Sequence, residues 1–189
     1  MHRKILTAAT AMTTLLIILG GVVCVTESAR GCPDWPRCYG QLLPPMRVDA
    51  VIEYSHRLVA ALTTPLILVA AILGLRSSSA VRWARWPPVI AIPLLIAVAV
   101  FGAFAVLRGL SPWAAAIDVG SALLVLALLV AASVAATRSA QPGFRDRWSL
   151  DHAGARWAAA AAAGLFLVLV SGVLVAAPES SVRCLGCFV

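Results

Sequence analysis

Runs of about 20 apolar residues recur along this chain, the length that a helix needs to cross the hydrocarbon core of a bilayer. Hydrophobic residues make up 61% of the sequence and charged residues only 12%, which is typical of a helical membrane protein. A backbone within lipid must satisfy its own polar groups, so helices are the expected structure. The sequence predicts five spans, at about Ile5–Val25, Ala50–Leu75, Val89–Leu107, Trp113–Thr137 and Trp157–Ala177.

Arginine and lysine collect at one end of the predicted spans. If the five spans are correct, nine basic residues face one side of the membrane, and the positive-inside rule makes that side cytoplasmic. The N-terminus is then inside and the C-terminus outside. The nine are Arg3, Lys4, Arg76, Arg82, Arg85, Arg138, Arg145, Arg147 and Arg156. Because these charges are scattered between apolar runs, the net charge of +7 indicates topology rather than nucleic-acid binding.

Tryptophans support the same spans, because they are enriched where helices leave the hydrocarbon. Those that flank the spans are Trp83, Trp86, Trp113, Trp148 and Trp157. The basic start and apolar stretch of the first span are also typical of a cleaved signal peptide, which is an alternative for that span alone.

The longest outer segment, Thr26–Asp49, contains Cys32 and Cys38 on the oxidising side of the membrane. They are predicted to form a disulfide that closes a tight loop, and two free thiols are the alternative. Prolines and glycines exclude a regular helix here, so we expect a rigid lid that excludes water from a site beneath it. The spacing of Cys184 and Cys187 in the tail fits a redox pair, half of a zinc site or an outer disulfide.

The cytoplasmic segments Arg76–Trp86 and Arg138–Arg156 are predicted to be solvated connectors. His152 lies in the second connector beside Asp151, and a lone histidine in a loop is expected at the surface. His2 is a terminal residue with no neighbour in the sequence that suggests a function.

A cluster of ionisable residues lies near the start of the second span, in Ile52-Glu53-Tyr54-Ser55-His56-Arg57. Ionisable side chains at membrane depth are costly and mark functional sites. Glu53 and His56 are three positions apart, so on a helix they share a face. The imidazole of His56 can bind a metal or a heme iron, and the carboxylate of Glu53 can transfer a proton.

A short internal similarity links the first and fifth spans. Gly20–Cys32 and Ser171–Cys184 both contain the end of an apolar run, a short polar stretch and then a cysteine. A similarity this short can arise by chance. If it reflects a repeat, the fifth span is the first helix of a second copy of the same unit.

Three motifs carry a resemblance to a known family. They are Cys-Pro-Asp-Trp-Pro-x-Cys-x-Gly at 32–40, followed by two prolines; Glu-Tyr-x-His-Arg at 53–57; and Gly-x-x-x-Val-Leu-x-Gly-Leu-Ser-Pro-Trp at 102–113. In this order they resemble the heme A synthase family, over about Gly20–Ala135 and more faintly through the fifth span. Combined with the predicted spans, the resemblance implies an all-α integral membrane fold. Residues 1–137 would form a four-helix transmembrane bundle, 138–156 a cytoplasmic linker, and 157–189 a fifth transmembrane helix with an outer tail.

The resemblance also implies a site and its ligands. Family members have two four-helix bundles in tandem and oxidise a methyl group of heme O to the formyl group of heme A, with heme b as cofactor. By this resemblance, Cys32 and Cys38 form the outer disulfide, Glu53 is the catalytic, proton-handling acid and His56 is a heme ligand. The second heme would come from another copy of the chain or from a separate partner, and the product would serve terminal oxidase assembly.

The chain departs from the family at the partner histidine of the fourth helix, which would fall at Asp118. Carboxylate is a poor substitute for imidazole on a heme iron. We expect Asp118 to be a weak heme ligand or a proton acceptor; the alternative is that it pairs with Arg57 or His56 and neutralises buried charge without iron. An arginine that is usual near the end of the first helix is replaced by Cys24, and most of the second bundle is absent.

Three functional hypotheses follow. The first is a heme A synthase-like oxidoreductase that binds heme between the second and fourth helices. The second is a catalytically degenerate relative that binds heme or assists oxidase assembly, which Asp118 favours. The third is a thiol-redox membrane protein that uses the outer cysteines.

Overall fold

The computed structural model describes residues 1–77, 81–109, 111–139, 141 and 150–175. Most of them belong to the helices α1 His2–Val25, α2 Val48–Arg76, α3 Arg82–Arg108, α4 Pro112–Arg138 and α5 Ala153–Val175. A short 3-10 turn, Ser28–Arg30, follows α1, and these residues form no strand beyond an isolated bridge between Cys38 and Gln41. All five helices are long and apolar enough to cross a bilayer. The predicted all-α, multi-pass membrane fold is therefore confirmed.

Charges and local caps mark the ends of the helices. Basic residues close α2, α3 and α4, at Arg76, Arg108 and Arg138, where a guanidinium can reach water beyond the hydrocarbon. At the start of α4, the hydroxyl of Ser111 accepts a hydrogen bond from the backbone N–H of Ala114 at 3.3 Å. A proline follows Ser111 at the first helical position, where no backbone donor is needed.

The first four helices form a ring. α1 contacts α2 and α4, and α3 contacts the same two helices, so α2 and α4 face each other across a diagonal. α5 lies outside the ring and packs on α4. In that contact, Val170 and Phe166 lie 3.5 and 3.6 Å from the position that a Cβ atom on Gly120 would occupy.

Two layers of small and aliphatic side chains hold the ring together. The lower layer consists of Leu6, Ala70, Ala84, Ala132 and Ala135. The middle layer consists of Ala9, Ile67, Ala91, Val125 and Leu129. Each layer takes residues from all four helices, and the lower layer joins the starts of α1 and α3 to the later parts of α2 and α4, as an antiparallel bundle requires. Small side chains let the backbones approach closely, which is how helices associate in lipid.

A hydrogen-bonded seam joins α1 to α4 and closes the ring. The hydroxyl of Thr10 lies 3.2 Å from the carbonyl oxygen of Leu129 and 3.1 Å from the hydroxyl of Ser133. Water does not compete for these groups within the hydrocarbon. Each such bond stabilises helix association by roughly 0.6 kcal/mol.

The helix boundaries differ from the prediction at both connectors. α3 begins at Arg82 rather than near Val89, so part of the segment Arg76–Trp86 is helical and not a solvated connector. The two prolines at 87 and 88 are fully buried, and their packing within the bundle outweighs the usual cost of proline in a helix. α5 begins at Ala153, ahead of the predicted Trp157.

The two histidines outside the candidate site have different surroundings. His152 is exposed, as predicted. His2 is partly buried at the lower end of the bundle, where its Nε2 lies 3.2 Å from the Cβ position of Gly74 and has no hydrogen-bond partner among the described residues. The expectation that His2 is only a terminal residue overlooked the close meeting of α1 and α2 there. Trp148, Cys184 and Cys187 lie outside the described residues, and the domain division at 137 and 156 stays a prediction.

Candidate functional site

His56 and Asp118 lie at matching heights on opposite helices of the diagonal pair. His56 is about three turns of α2 from Ile67, and Asp118 is about three turns of α4 from Leu129. Ile67 and Leu129 both belong to the middle layer. Because positions separated by whole turns share a helix face, both polar residues continue the inward-facing rows that build the core.

Two glycines lie at the same height on the other diagonal. Gly20 is about three turns of α1 from Ala9, and Gly102 is about three turns of α3 from Ala91, which are again residues of the middle layer. We call the resulting set the histidine layer: Gly20, His56, Gly102 and Asp118. It alternates residues without side chains with residues that carry polar ones. The His56 ring lies against Gly20, whereas a Cβ atom on Gly102 would meet nothing within 4 Å.

The imidazole of His56 is held against α1. A Cβ atom on Gly20 would lie 3.3 Å from Cε1 and 3.8 Å from Nδ1 of the ring, and the backbone carbonyl of Leu16 also faces the imidazole. Nδ1 is buried and has no hydrogen-bond partner among the described residues. A buried imidazole nitrogen without a partner has an unused bonding capacity.

Asp118 presents a similar unused group. Its Oδ1 is buried and without a hydrogen-bond partner in the part of the chain that the structure describes. Its nearest buried neighbours along α4 are Ala115, Ala116, Gly120 and Ser121, of which only Ser121 carries a polar side chain. The alternative that Asp118 neutralises Arg57 or His56 is not supported, because Arg57 is paired with Glu53 and the buried Oδ1 of Asp118 has no hydrogen-bond partner among the described residues.

Arg57 joins α2 to the outer loop. Its Nε donates to the carboxylate of Glu53 at 2.8 Å, and both side chains are largely buried. Its remaining nitrogens donate to the backbone carbonyls of Asp34 at 2.6 Å, Arg37 at 3.0 Å and Cys32 at 3.0 Å. A guanidinium with five donors in a rigid fork suits this set of four acceptors, and an ammonium group does not.

The outer loop is compact and lies on the start of α2. Cys32 and Cys38 are fully buried together with Ala50, and their Cα atoms are 4.6 Å apart, a separation that permits a disulfide. The backbone of Asp49 lies directly against Gly31, where any Cβ atom would collide with it. This loop therefore covers the outer end of α2, as the predicted lid would.

The carboxylate of Asp34 organises the turn at the tip of the loop. It accepts hydrogen bonds from the backbone N–H groups of Tyr39 at 2.6 Å and Gly40 at 2.7 Å. These bonds, that from Gly40 above all, lower the pKa of Asp34 below its ordinary value. Tyr39 and Gly40 both have positive φ angles, 52° and 71°, so the carboxylate stabilises a backbone turn that few residues adopt readily.

The histidine layer fits a heme better than a bare metal ion. The described residues contain no group of three or more His, Cys, Asp or Glu side chains that could hold an ion by themselves. A porphyrin supplies its own nitrogen ligands and needs only an axial side chain such as imidazole. The unpartnered, buried nitrogen of His56 matches that requirement, and the carboxylate of Asp118 is the only other polar group of the layer.

Two apolar cavities lie away from this layer. One, of about 290 Å³, is lined by Trp83, Trp86 and other residues near the start of α3. The other, of about 500 Å³, lies between α1 and α2 and is lined by Met12, Pro65 and other residues of those helices. Neither is lined by a residue of the histidine layer, so the heme site expected between the second and fourth helices stays a prediction.

Sequence reasoning missed two residues of this site. Arg57 was considered as a costly charge, as part of the 53–57 motif and as an alternative partner of Asp118, although its position four residues after Glu53 is that of a helical ion pair. Gly20 was noted only as the start of a possible repeat, and its contact with His56 depends on the crossing of α1 and α2, which no local pattern encodes. Glu53 and His56 do lie together on α2, as predicted.

Comparison with known proteins gives a consistent result. A family model described as cytochrome oxidase assembly protein matches residues 3–51 and 46–186. The heme A synthase of Halalkalibacterium halodurans is 31% identical over 147 residues, which cover 75% of this chain and 49% of that protein. The heme A synthase of Bacillus pumilus is 34% identical over 136 residues, covering 67% of this chain and 44% of that protein. The heme A synthase of Alkalihalophilus pseudofirmus is 33% identical over 141 residues, which cover 72% of this chain and 48% of that protein.

The chain thus spans about half the length of the curated relatives that it matches. No solved structure matches it significantly.

Replacing Arg57 by lysine should release the outer loop from α2. Lysine cannot bond the three loop carbonyls and Glu53 together, and each hydrogen bond lost from the charged donor costs about 2 kcal/mol. Trypsin should therefore cut after Arg37, whose carbonyl is held in the intact protein, at least about tenfold faster, because cleavage follows local opening. Mass spectrometry of reduced digests measures this rate.

Arg76→Lys is the matched control, since Arg76 is exposed at the end of α2 that is remote from the loop. Its tryptic pattern after Arg37 should equal that of the unaltered protein. Equal cleavage rates in the two variants would show that Arg57 does not anchor the loop.

The loop turn should depend on pH through Asp34. Because its pKa in the folded loop is lower than when unfolded, chiefly through the Gly40 N–H, the ionised carboxylate contributes its full stabilisation at every pH above about 4. That stabilisation is lost as the pH falls further, through the folded pKa. Hydrogen-exchange protection of the amides of Tyr39 and Gly40, corrected for intrinsic rates, should be constant from about pH 7 to 5 and decrease near pH 3.

In Asp34→Asn the hydrogen-exchange protection of Tyr39 and Gly40 should be low over the whole pH range, and it should not decrease further near pH 3. If the protection in Asp34→Asn still decreases near pH 3 as in the unaltered protein, the titrating group is not Asp34.

Proposed function

Because this chain belongs to the cytochrome oxidase assembly protein family, we propose that it is a heme A synthase-like membrane protein that binds heme between α2 and α4. The observation that carries the proposal is the buried Nδ1 of the half-buried His56 imidazole, which has no hydrogen-bond partner among the described residues and lies level with Gly20, Gly102 and Asp118. A heme iron would use the free bonding capacity of that ring. The heme A synthases among its relatives support the same reading.

The substrate that we propose is heme O, with heme b as cofactor. When bound, these groups would supply the methyl carbon to be oxidised and the iron that exchanges electrons. The side chains of this chain would bind and orient these groups, and they would exclude water from the site. Conversion of a methyl to a formyl group is a four-electron oxidation. With water as the oxygen source it releases four protons and four electrons, which an electron acceptor must take up; with dioxygen, each of the two hydroxylations takes up two protons and two electrons from a donor. Protons are transferred by either route, so the site needs a side chain that accepts or donates them.

Glu53 is the proposed proton acceptor. It lies one helical turn from His56 on α2 and is only 5% exposed, so a proton that it takes up comes from the interior of the site rather than from bulk water. Arg57 holds its carboxylate at 2.8 Å, which fixes the direction in which the acid faces. Such fixed geometry is what general acid–base catalysis requires.

The outer loop is proposed to shield the pocket, with Cys32 and Cys38 joined as a disulfide. Both residues are fully buried, which disfavours exchange with a partner thiol and therefore the thiol-redox alternative. We also propose that the lower end of the bundle faces the cytoplasm. The basic residues at the lower end, among them Arg3, Lys4 and Arg85, support this orientation.

A catalytically degenerate heme-binding or oxidase-assembly protein is the second candidate function. Asp118 favours it, because the family resemblance places a second heme-binding histidine at this position and a carboxylate would hold a heme iron poorly. In either case, the heme that completes electron transfer would come from another copy of the chain or from a separate partner protein.

Heme binding is tested by the optical spectrum of the protein purified in detergent from heme-replete cells. We expect a Soret band that decreases roughly tenfold or more in His56→Ala, because the iron loses its ligand. His152→Ala is the control, since His152 is exposed on the connector before α5, and its spectrum should be unaltered. A colourless protein, or a band that survives in His56→Ala, contradicts the proposal.

Conversion of heme O to heme A separates the enzyme from the degenerate binder. We expect Glu53→Gln to lower the conversion rate by about 100-fold, the usual contribution of a general acid or base, while the Soret band is retained. Glu27→Gln, at an exposed carboxylate of the outer segment, is the control. Resistance of Glu53→Gln to trypsin after Arg37 shows that the loop is still in place. Heme binding with no conversion by the unaltered protein would favour the second candidate function.

A further inference from the structure

Two adjacent glycines, Gly20 and Gly21, lie in α1. A contact requires that Gly20 has no side chain, and no contact requires this of Gly21. Glycine weakens a helix interior relative to alanine, so each glycine needs a reason. A Cβ atom on Gly21 would meet nothing within 4 Å, whereas a Cβ atom on Gly20 would meet the imidazole of His56 at 3.3 Å. That approach is closer than ordinary van der Waals contact, so the ring would have to move.

We infer that Gly20 is a positioning residue for His56, and that α1 sets the direction of the imidazole through the flat surface at this glycine. The contact is with the ring edge that carries Cε1 and Nδ1, which is also the edge with the unpartnered nitrogen. One turn earlier on α1, the carbonyl of Leu16 faces the same ring. α1 therefore contacts the imidazole at two successive turns.

The imidazole ring of His56 has only a few positions available to it. Side chains occupy separate staggered rotamers, so an imidazole displaced by an added methyl group either tilts by a few tenths of an ångström or changes rotamer. A functional side chain must stay within about 0.5 Å of its productive position. Either response would displace Nδ1, the buried nitrogen that has no hydrogen-bond partner among the described residues.

This inference rests on the proposed function, in which His56 is a heme ligand. It is tested by comparing Gly20→Ala with Gly21→Ala, which make the same chemical change at adjacent positions of one helix. The proteins are purified in detergent and titrated with hemin, with the Soret maximum, the affinity for hemin and the midpoint potential as readouts. Circular dichroism verifies that both variants keep their helices.

We expect Gly20→Ala to bind hemin about tenfold more weakly, the lower range for the loss of a residue that supports a ligand, with a shifted Soret maximum and midpoint potential. Gly21→Ala should match the unaltered protein in all three. In a His56→Ala background, Gly20→Ala should change nothing further, because its effect passes through the imidazole.

The outcomes separate the two proposals. If the unaltered protein binds hemin through His56 but Gly20→Ala behaves like Gly21→Ala, this inference is wrong and the proposed function stands. If Gly20→Ala weakens binding equally in the His56→Ala background, Gly20 acts on the pocket and not on the ring, which also overturns the inference. If His56→Ala leaves hemin binding unchanged, both proposals are wrong.

Discussion

The guanidinium of Arg57 connects the two parts of the molecule on which the candidate site depends. It neutralises the carboxylate of Glu53 and satisfies three backbone carbonyls of the outer loop with one planar group. Near the edge of a bilayer those carbonyls have few other donors, and an unpaired guanidinium would be costly. The acid beside His56 and the loop above it are thus held by the same cation, so the loop position and the carboxylate position change together.

Toward the lower end of the bundle, away from Arg57, the interior is apolar. The lower and middle layers are built almost entirely from alanine, leucine, isoleucine and valine. The hydrophobic clusters formed by the described residues include none of the four members of the histidine layer. Close backbone packing and the Thr10 seam fix the helices at one end, and the polar groups are arranged at the other. The costly residues therefore lie where a ligand could compensate for them.

The sequence predicted the fold well because hydrophobic runs of membrane length leave few alternatives to a helix. It placed Glu53 and His56 on one helix face, because helical spacing is local information. It misjudged the start of α3, where buried packing of the two prolines at 87 and 88 overrides their local preference. The contact of Gly20 with His56 and the bonds from Arg57 to the loop join residues distant in sequence, and no periodicity specifies them.

The position of α5 gives α4 a double role. Gly120 receives Val170 and Phe166 of α5, while Asp118, two positions earlier, continues the row that faces the inside of the ring. Residues two apart on a helix point in nearly opposite directions. α4 is therefore shared between the inside of the ring and the contact with α5, and it cannot turn on its axis without changing both surfaces. A rotation of α4 caused by a different packing of α5 would therefore move the carboxylate on the other side of the helix.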